Sequence, residues 1–145
     1  MLRTEEQVEE IESKQVIECP FGKIDVEAKD ILFFPEGLYG YDQTHRYLVW
    51  EVKEYLPFRW LICLEDPELI FPVVDPRIVH PDYNPKIDST EPEDEILAIV
   101  TMGRTVESVT VNLRAPIVIS RGQNRAKQVI LTDSHYPLRH RVLKS

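Results

Sequence analysis

The sequence predicts an all-β fold, a small antiparallel β-barrel-like or sandwich domain with few short helical turns. Three observations predict it. Apolar residues alternate with period 2 over short segments, as where Phe58, Trp60, Ile62 and Leu64 oppose Arg59, Leu61, Cys63 and Glu65. Turn residues recur between those segments, and no segment sustains a 3.6-residue period. The pattern amounts to roughly nine short strands, and closing them into a barrel removes exposed strand edges.

Residues 1–13 read as a flexible acidic arm, with Glu5, Glu6, Glu9, Glu10 and Glu12 set among Leu2, Val8 and Ile11. A single domain is expected over residues 14–145, a length that buries roughly two thirds of the unfolded surface. Val16, Ile17 and Cys19 suggest a first strand. Gly22 breaks the run, and Ile24, Val26 and Ala28 then alternate with Lys23, Asp25 and Glu27 to complete a hairpin. Ile31 to Phe34 form a short buried segment. Pro35 to Tyr41, PEGLYGY, supply the glycines and proline of a structured loop.

Tyr47 to Val52 and Pro57 to Leu64 are the next strands. Glu65, Asp66 and Pro67 stop the second of them, because Pro has no ladder donor. Glu68 to Phe71 restart the apolar run before Pro72, in a hairpin or tight helical turn. Pro72, Pro76, Pro81, Pro85 and Pro92 follow closely enough to exclude a helix and predict an irregular or edge-strand stretch. Ile96 to Met102, the Gly103-Arg104 turn and Val106 to Leu113 read as a second hairpin. Pro116 to Ser120 and Ala126 to Leu131 are the last strands, separated by SRGQN.

Charge is unevenly spread. From Arg121 onward six Lys/Arg face only Asp133, leaving +5 there and −13 over residues 1–120 of a chain whose net charge is −8. An acidic body repels nucleic-acid phosphates and steers basic proteins toward it. Cys19 and Cys63 lack CxxC spacing and read as buried reduced thiols. The apolar runs are strand-sized and the first residues are glutamate-rich, so no membrane span or signal peptide is expected, and the protein is placed in the cytoplasm.

No catalytic motif is legible. His45, His80, His135 and His140 fall in no metal-ligand spacing, and no Walker A loop, GxGxxG or GxSxG is present. Neither a metal nor another cofactor is expected, and the protein is read as a binding module, not an enzyme. Carboxylates paired only in space are invisible at this level, so an acid–base hydrolase stays the enzymatic alternative.

The chain resembles the flagellar assembly factor FliW family over about Lys14 to Arg141. The segments that carry the resemblance are Phe21 to Tyr41 (FGKIDVEAKDILFFPEGLYGY), Pro57 to Phe71 (PFRWLICLEDPELIF), Pro81 to Tyr83, Val111 to Ser120 (VNLRAPIVIS) and Arg125 to Leu131. The resemblance implies a small β-barrel-like protein that binds flagellin in the cytoplasm and also binds the translational repressor CsrA. Flagellin that accumulates occupies the protein and frees CsrA to repress flagellin translation; exported flagellin releases the protein to sequester CsrA. The first 13 residues lie outside this resemblance.

Two surfaces are expected on that basis. Glu65, Asp66, Glu68, Glu91, Glu93, Asp94 and Glu95 are the acidic candidates for CsrA, whose RNA-holding surface must be basic. Phe58, Trp60, Phe71 and Tyr83 are the apolar candidates for the amphipathic helices of flagellin, with a core role as the competing reading for Trp60 and Phe71. Asn112 and Arg114 are expected to position a loop. The free protein is expected as a monomer, with no direct nucleic-acid contact. The alternative from another class is an RNA-binding module using Arg121, Arg125, Lys127, Arg139, Arg141 and Lys144, which only Tyr136 interleaves as an aromatic.

Overall fold

The computed structural model describes residues 14–87, 91–132 and 135–142, and the acidic arm and Lys144 lie outside those residues. The described residues form eleven strands. β1 (Lys14–Cys19) and β2 (Gly22–Glu27) pair as a separate antiparallel hairpin. Gly22 turns it at φ +100°, a conformation that a Cβ would oppose. β3 (Ile31–Phe33), β4 (Arg46–Trp50), β5 (Arg59–Cys63), β6 (Ile70–Val74) and β7 (Glu95–Thr101) follow as an antiparallel meander. β9 (Ile117–Ser120) and β10 (Arg125–Gln128) complete the wall. β7 pairs with β9 and β10 with β3, so these seven strands close into a barrel. The β10–β3 junction is parallel and the other junctions are antiparallel. β8 (Thr110–Val111) extends β7 beyond the barrel and carries β11 (His140–Arg141).

The period-2 pattern is the blueprint of the core. Leu61 and Cys63 of β5 face the barrel interior with Leu32, Tyr47, Val73, Leu97, Ile117 and Ile119. Ile62 and Leu64, on the other face of β5, join Leu48 beneath Ile17, Ile24 and Val26 of the hairpin. That covering layer explains why both faces of β5 are apolar. Each large aliphatic side chain so buried contributes about 1.5–3 kcal/mol. A third cluster, with Ala98, Val100, Val111, Leu113 and Tyr83, lies on the outer side of β7. Tyr47 is wholly buried; burial pushes its hydroxyl up to about 12, against the hydrogen bond it shares with Thr44 at 2.6 Å.

Several expectations are corrected. The apolar restart does not end before Pro72, because β6 runs through it to Val74. Pro72 stands opposite Trp60, while pairing with β7 begins only at Val73, so its missing N–H leaves no ladder bond unmade there. The proline-rich stretch contains one helical turn, α1 (Pro76–Val79), because proline is tolerated at the first helical position. Asp75 caps it, accepting from the Arg77 N–H at 3.0 Å. Val106 to Leu113 is not one strand: Val106–Ser108 form a 3-10 turn, held by Ser108 and Thr105, and only Thr110–Val111 pair. The last barrel strand ends at Gln128, not Leu131, because Val129 and Leu131 donate to Pro116 and Arg114 outside the ladder. Phe33 is outward-facing and exposed, and Arg125 lies over its ring at 5.8 Å. Cys63 is buried but Cys19 is half-exposed; both are free thiols.

Candidate binding groove

The hairpin covers Ile62 and Leu64 but turns at Phe21, so the same side of the sheet is left open further back, at Trp60 of β5 and at Phe58 just before that strand. There an apolar groove of about 560 Å³ forms on the outside of the barrel. Phe58, Trp60 and Pro72 line it from the sheet, Phe21 and Tyr55 from one side, and Met102, Val106, Val109 and Val142 from the β7–β8 connection and the chain beyond β11. Phe21 lies 5.1 Å from the Trp60 ring, and Tyr55 meets the same ring edge-on at 5.8 Å. The indole N–H of Trp60 is buried and has no hydrogen-bond partner among the described residues. Tyr55 is 52% exposed, Met102 64% and Val106 63%. Contiguous apolar surface of this kind makes the groove a candidate docking place for another molecule.

The four apolar candidates divide. Phe58 and Trp60 share the groove. Phe71 instead turns onto the barrel-interior cluster, its ring 5.3 Å from Tyr41 and 6.5 Å from Tyr47. Tyr83 is only 2% exposed and its hydroxyl donates to the Leu113 carbonyl at 2.7 Å. Burial, and then Tyr136, raise the pKa of that hydroxyl. Phe21, Tyr55, Met102 and Val106 were missed by the sequence reading. Their signal was weak but present: Phe21 and Met102 are large apolar residues placed at turns, where solvent exposure is the rule.

The acidic candidates also divide. Glu65 accepts from the backbone N–H groups of His45 and Arg46, both at 3.1 Å, and pairs with the Arg46 guanidinium at 3.7 Å. Desolvation raises its pKa, but the Arg46 and His45 N–H groups outweigh that and hold the carboxyl below the usual range. Glu95 meets Arg59 at 2.6 Å and Arg121 at 3.0 Å. Here too desolvation pushes upward, and the two guanidinium groups, Arg59 first, bring the carboxyl down. Glu95 and Arg59 share strand parity with Leu97 and Leu61, so the pair lies on the interior side of the wall. Asp66 accepts from the Glu68 N–H at 3.3 Å and Asp94 from the Glu91 N–H at 2.9 Å. Glu68, Glu91 and Glu93 are exposed and form no ion pair among the described residues. Glu68 sits in the β5–β6 connection and the other two precede β7, so they belong to opposite ends of the meander.

The basic residues are not gathered into one stripe. Arg121 is held by Glu95, and Arg125 and Lys127 sit on β10 between β9 and β3. Arg139 and Arg141 belong to the β11 segment, which pairs with β8. Asn112 accepts from the Arg114 and Ala115 N–H groups at 3.1 and 3.0 Å, and Arg114 donates to the Tyr136 carbonyl at 2.9 Å, so both residues hold loops in place.

A family model described as FliW protein matches residues 15–142. The flagellar assembly factor FliW of Caldanaerobacter subterraneus subsp. tengcongensis is 34% identical over 134 residues, covering 86% of this chain and 89% of that protein. That of Syntrophus aciditrophicus is 35% identical over 136 residues, covering 86% and 85%. That of Thermotoga neapolitana is also 35% identical over 136 residues, covering 86% and 91%. A crystal structure of the flagellar assembly factor FliW superposes with a TM-score of 0.84 at 28% identity, over 90% of this chain and 99% of that chain.

Proposed function

The chain belongs to the FliW family of flagellar assembly factors, and we propose that it acts in the cytoplasm, without catalysis, as a monomer that binds flagellin and sequesters the repressor CsrA. The observation that carries this reading is the groove between Phe21, Trp60 and Met102. An amphipathic helix buries its apolar stripe in a groove of this character and leaves its polar face in water. Flagellin is the helix donor in this reading. Tyr55 and Trp60 supply the broad rigid contacts on which interface energy concentrates.

Binding of CsrA is assigned to Glu68, Glu91 and Glu93, the exposed acidic candidates whose side chains form neither an ion pair nor a hydrogen bond among the described residues. Glu65 and Glu95 act inside the protein, shaping the surface that carries the others. A basic partner gains association rate from such charges more than affinity. The RNA-binding alternative gains no support from the geometry, since Arg121 is engaged by Glu95, and Arg125 and Lys127 lie on β10, which is not a neighbour of the β11 strand that holds Arg141.

Calorimetric titration of the protein with flagellin and with CsrA separately, then of CsrA into the flagellin complex, tests the reading. Binding to each partner, with the second titration suppressed, is the expected result. Absence of heat with either partner overturns it.

A further inference from the structure

We propose that His80 and His140 form a binding site for a late first-row divalent metal ion such as zinc, which ties the β11 segment to the outer side of the barrel. The two histidines stand sixty positions apart in the chain, so no sequence spacing joins them. The fold brings their ring centres to 5.5 Å, at an interplanar angle of 50°.

Both imidazoles project from backbone that hydrogen bonds hold. His80 follows α1 directly, and its N–H donates to the Pro76 carbonyl at 2.9 Å. His140 opens β11 and pairs with Val111 of β8. Tyr83 and Tyr136 pack beside the pair, their rings 6.3 and 5.8 Å from that of His80, and both belong to the apolar cluster outside β7. Arg141, the next residue of β11, leaves the strand on the other face and keeps its charge away from the site.

The ring nitrogens are left without partners. Nε2 of His140 is buried and has no hydrogen-bond partner among the described residues, and the His80 ring makes no hydrogen bond among them either. A buried polar atom of this kind is uncommon in native proteins and points to a bound water or ion. A direct bond between two imidazole nitrogens at about 2.9 Å would bring the ring centres to about 5.1 Å or less, closer than these are. A zinc–nitrogen bond of about 2.1 Å puts each ring centre about 3.2 Å from the ion. Centres 5.5 Å apart then subtend an angle of about 120° at the ion, near the tetrahedral value that zinc prefers.

Neutral imidazole suits zinc, copper and nickel. No group of three or more His, Cys, Asp or Glu that could hold an ion occurs among the described residues, so water completes the coordination and the ion exchanges readily, unlike that of a closed structural centre. Val142, two residues beyond His140, lines the apolar groove. An ion on His140 therefore anchors the chain that forms this wall, whatever occupies the groove.

The test uses the full chain without an affinity tag. Calorimetric titration with zinc chloride is expected to show one ion bound per chain, and magnesium chloride, whose ion prefers oxygen ligands, to show no such step. Zinc at a hundred times its Kd should raise the folding equilibrium constant up to about a hundredfold, read as a higher urea midpoint. His80→Gln and His140→Gln, each with an unchanged far-ultraviolet spectrum, should both abolish the step. Should His140→Gln fail to fold, His80→Gln decides alone, since His80 lies outside the sheet and is half-buried. In nuclear magnetic resonance, zinc should shift the imidazole signals of His80 and His140 and leave those of His45 in place. No binding step, a step that survives the substitutions, or an unmoved signal from either His80 or His140 overturns the proposal and leaves water as the partner of the His140 nitrogen.

Discussion

Glu95→Gln keeps the side-chain shape and removes the charge that Arg59 and Arg121 share. The Arg59 side chain is 15% exposed and that of Glu95 is 30% exposed, so little water is at hand to replace the lost partner. Breaking a fully buried ion pair costs about 3–5 kcal/mol, whereas an exposed pair is worth about 1 kcal/mol or less. Arg121, half-exposed, sits at the weak end of that range. The expected cost at pH 7 is therefore about 2 kcal/mol, or about 1 M in the urea midpoint at a slope near 2 kcal/mol/M.

The pH dependence follows from the depressed folded pKa of Glu95. A carboxyl held lower in the folded state than in the unfolded one stabilises fully above its unfolded pKa and loses that contribution as pH falls through the folded value. Glutamine does not titrate. The gap in urea midpoint between the unaltered protein and Glu95→Gln should be full at pH 7 and begin to close below about pH 4.5. An equal gap at pH 7 and pH 3, or none at pH 7, would refute the reasoning. Weakened CsrA binding with an unchanged midpoint would make Glu95 a contact residue instead of an internal one.

Phe21→Ala with Met102→Ser should weaken flagellin binding at least tenfold by calorimetry with little change in melting temperature, whereas Trp60→Ala should lose about 2–3 kcal/mol of stability as well. Charge reversal at Glu68, Glu91 and Glu93 should slow CsrA association in low salt and leave dissociation nearly unaltered; an unchanged on-rate in stopped flow removes those residues from the interface. Gly37→Ala places a Cβ 2.7 Å from the Tyr41 carbonyl at φ +70°, so a loss of about 2 kcal/mol or more is expected in denaturation, and a neutral result would show that the loop yields easily. Tyr83→Phe leaves the Leu113 carbonyl without the donor it meets at 2.7 Å, and a cost of about 1–2 kcal/mol should appear as a lowered melting temperature.

Alternation along the chain already carried the β architecture, because it is a local property: side chains leave a strand on alternate faces whatever the strand later packs against. It also showed both faces of β5 to be apolar, which the barrel interior and the β1–β2 hairpin then explain. The β1–β2 hairpin was legible from its own turn, and the family from separated motifs such as PFRWLICLEDPELIF. Short-range rules misjudged Pro72, because whether a missing N–H matters depends on which neighbouring strand pairs there. They misjudged α1 because proline forbids helix interiors and suits helix starts.

Which candidates share a surface depends on how the strands pack in three dimensions. Phe58 and Trp60 are in the groove because the hairpin ends at Phe21, while Phe71 and Tyr83 pack elsewhere. Met102 and Val106 join Trp60 across more than 40 positions, a proximity that no local period encodes. The same closure of the barrel brings Glu95 onto Arg59 and Arg121 and leaves Glu68, Glu91 and Glu93 without ion pairs among the described residues. Carboxylates look alike in a sequence; burial and the distance to a guanidinium separate the internal strut from the charge available to a partner.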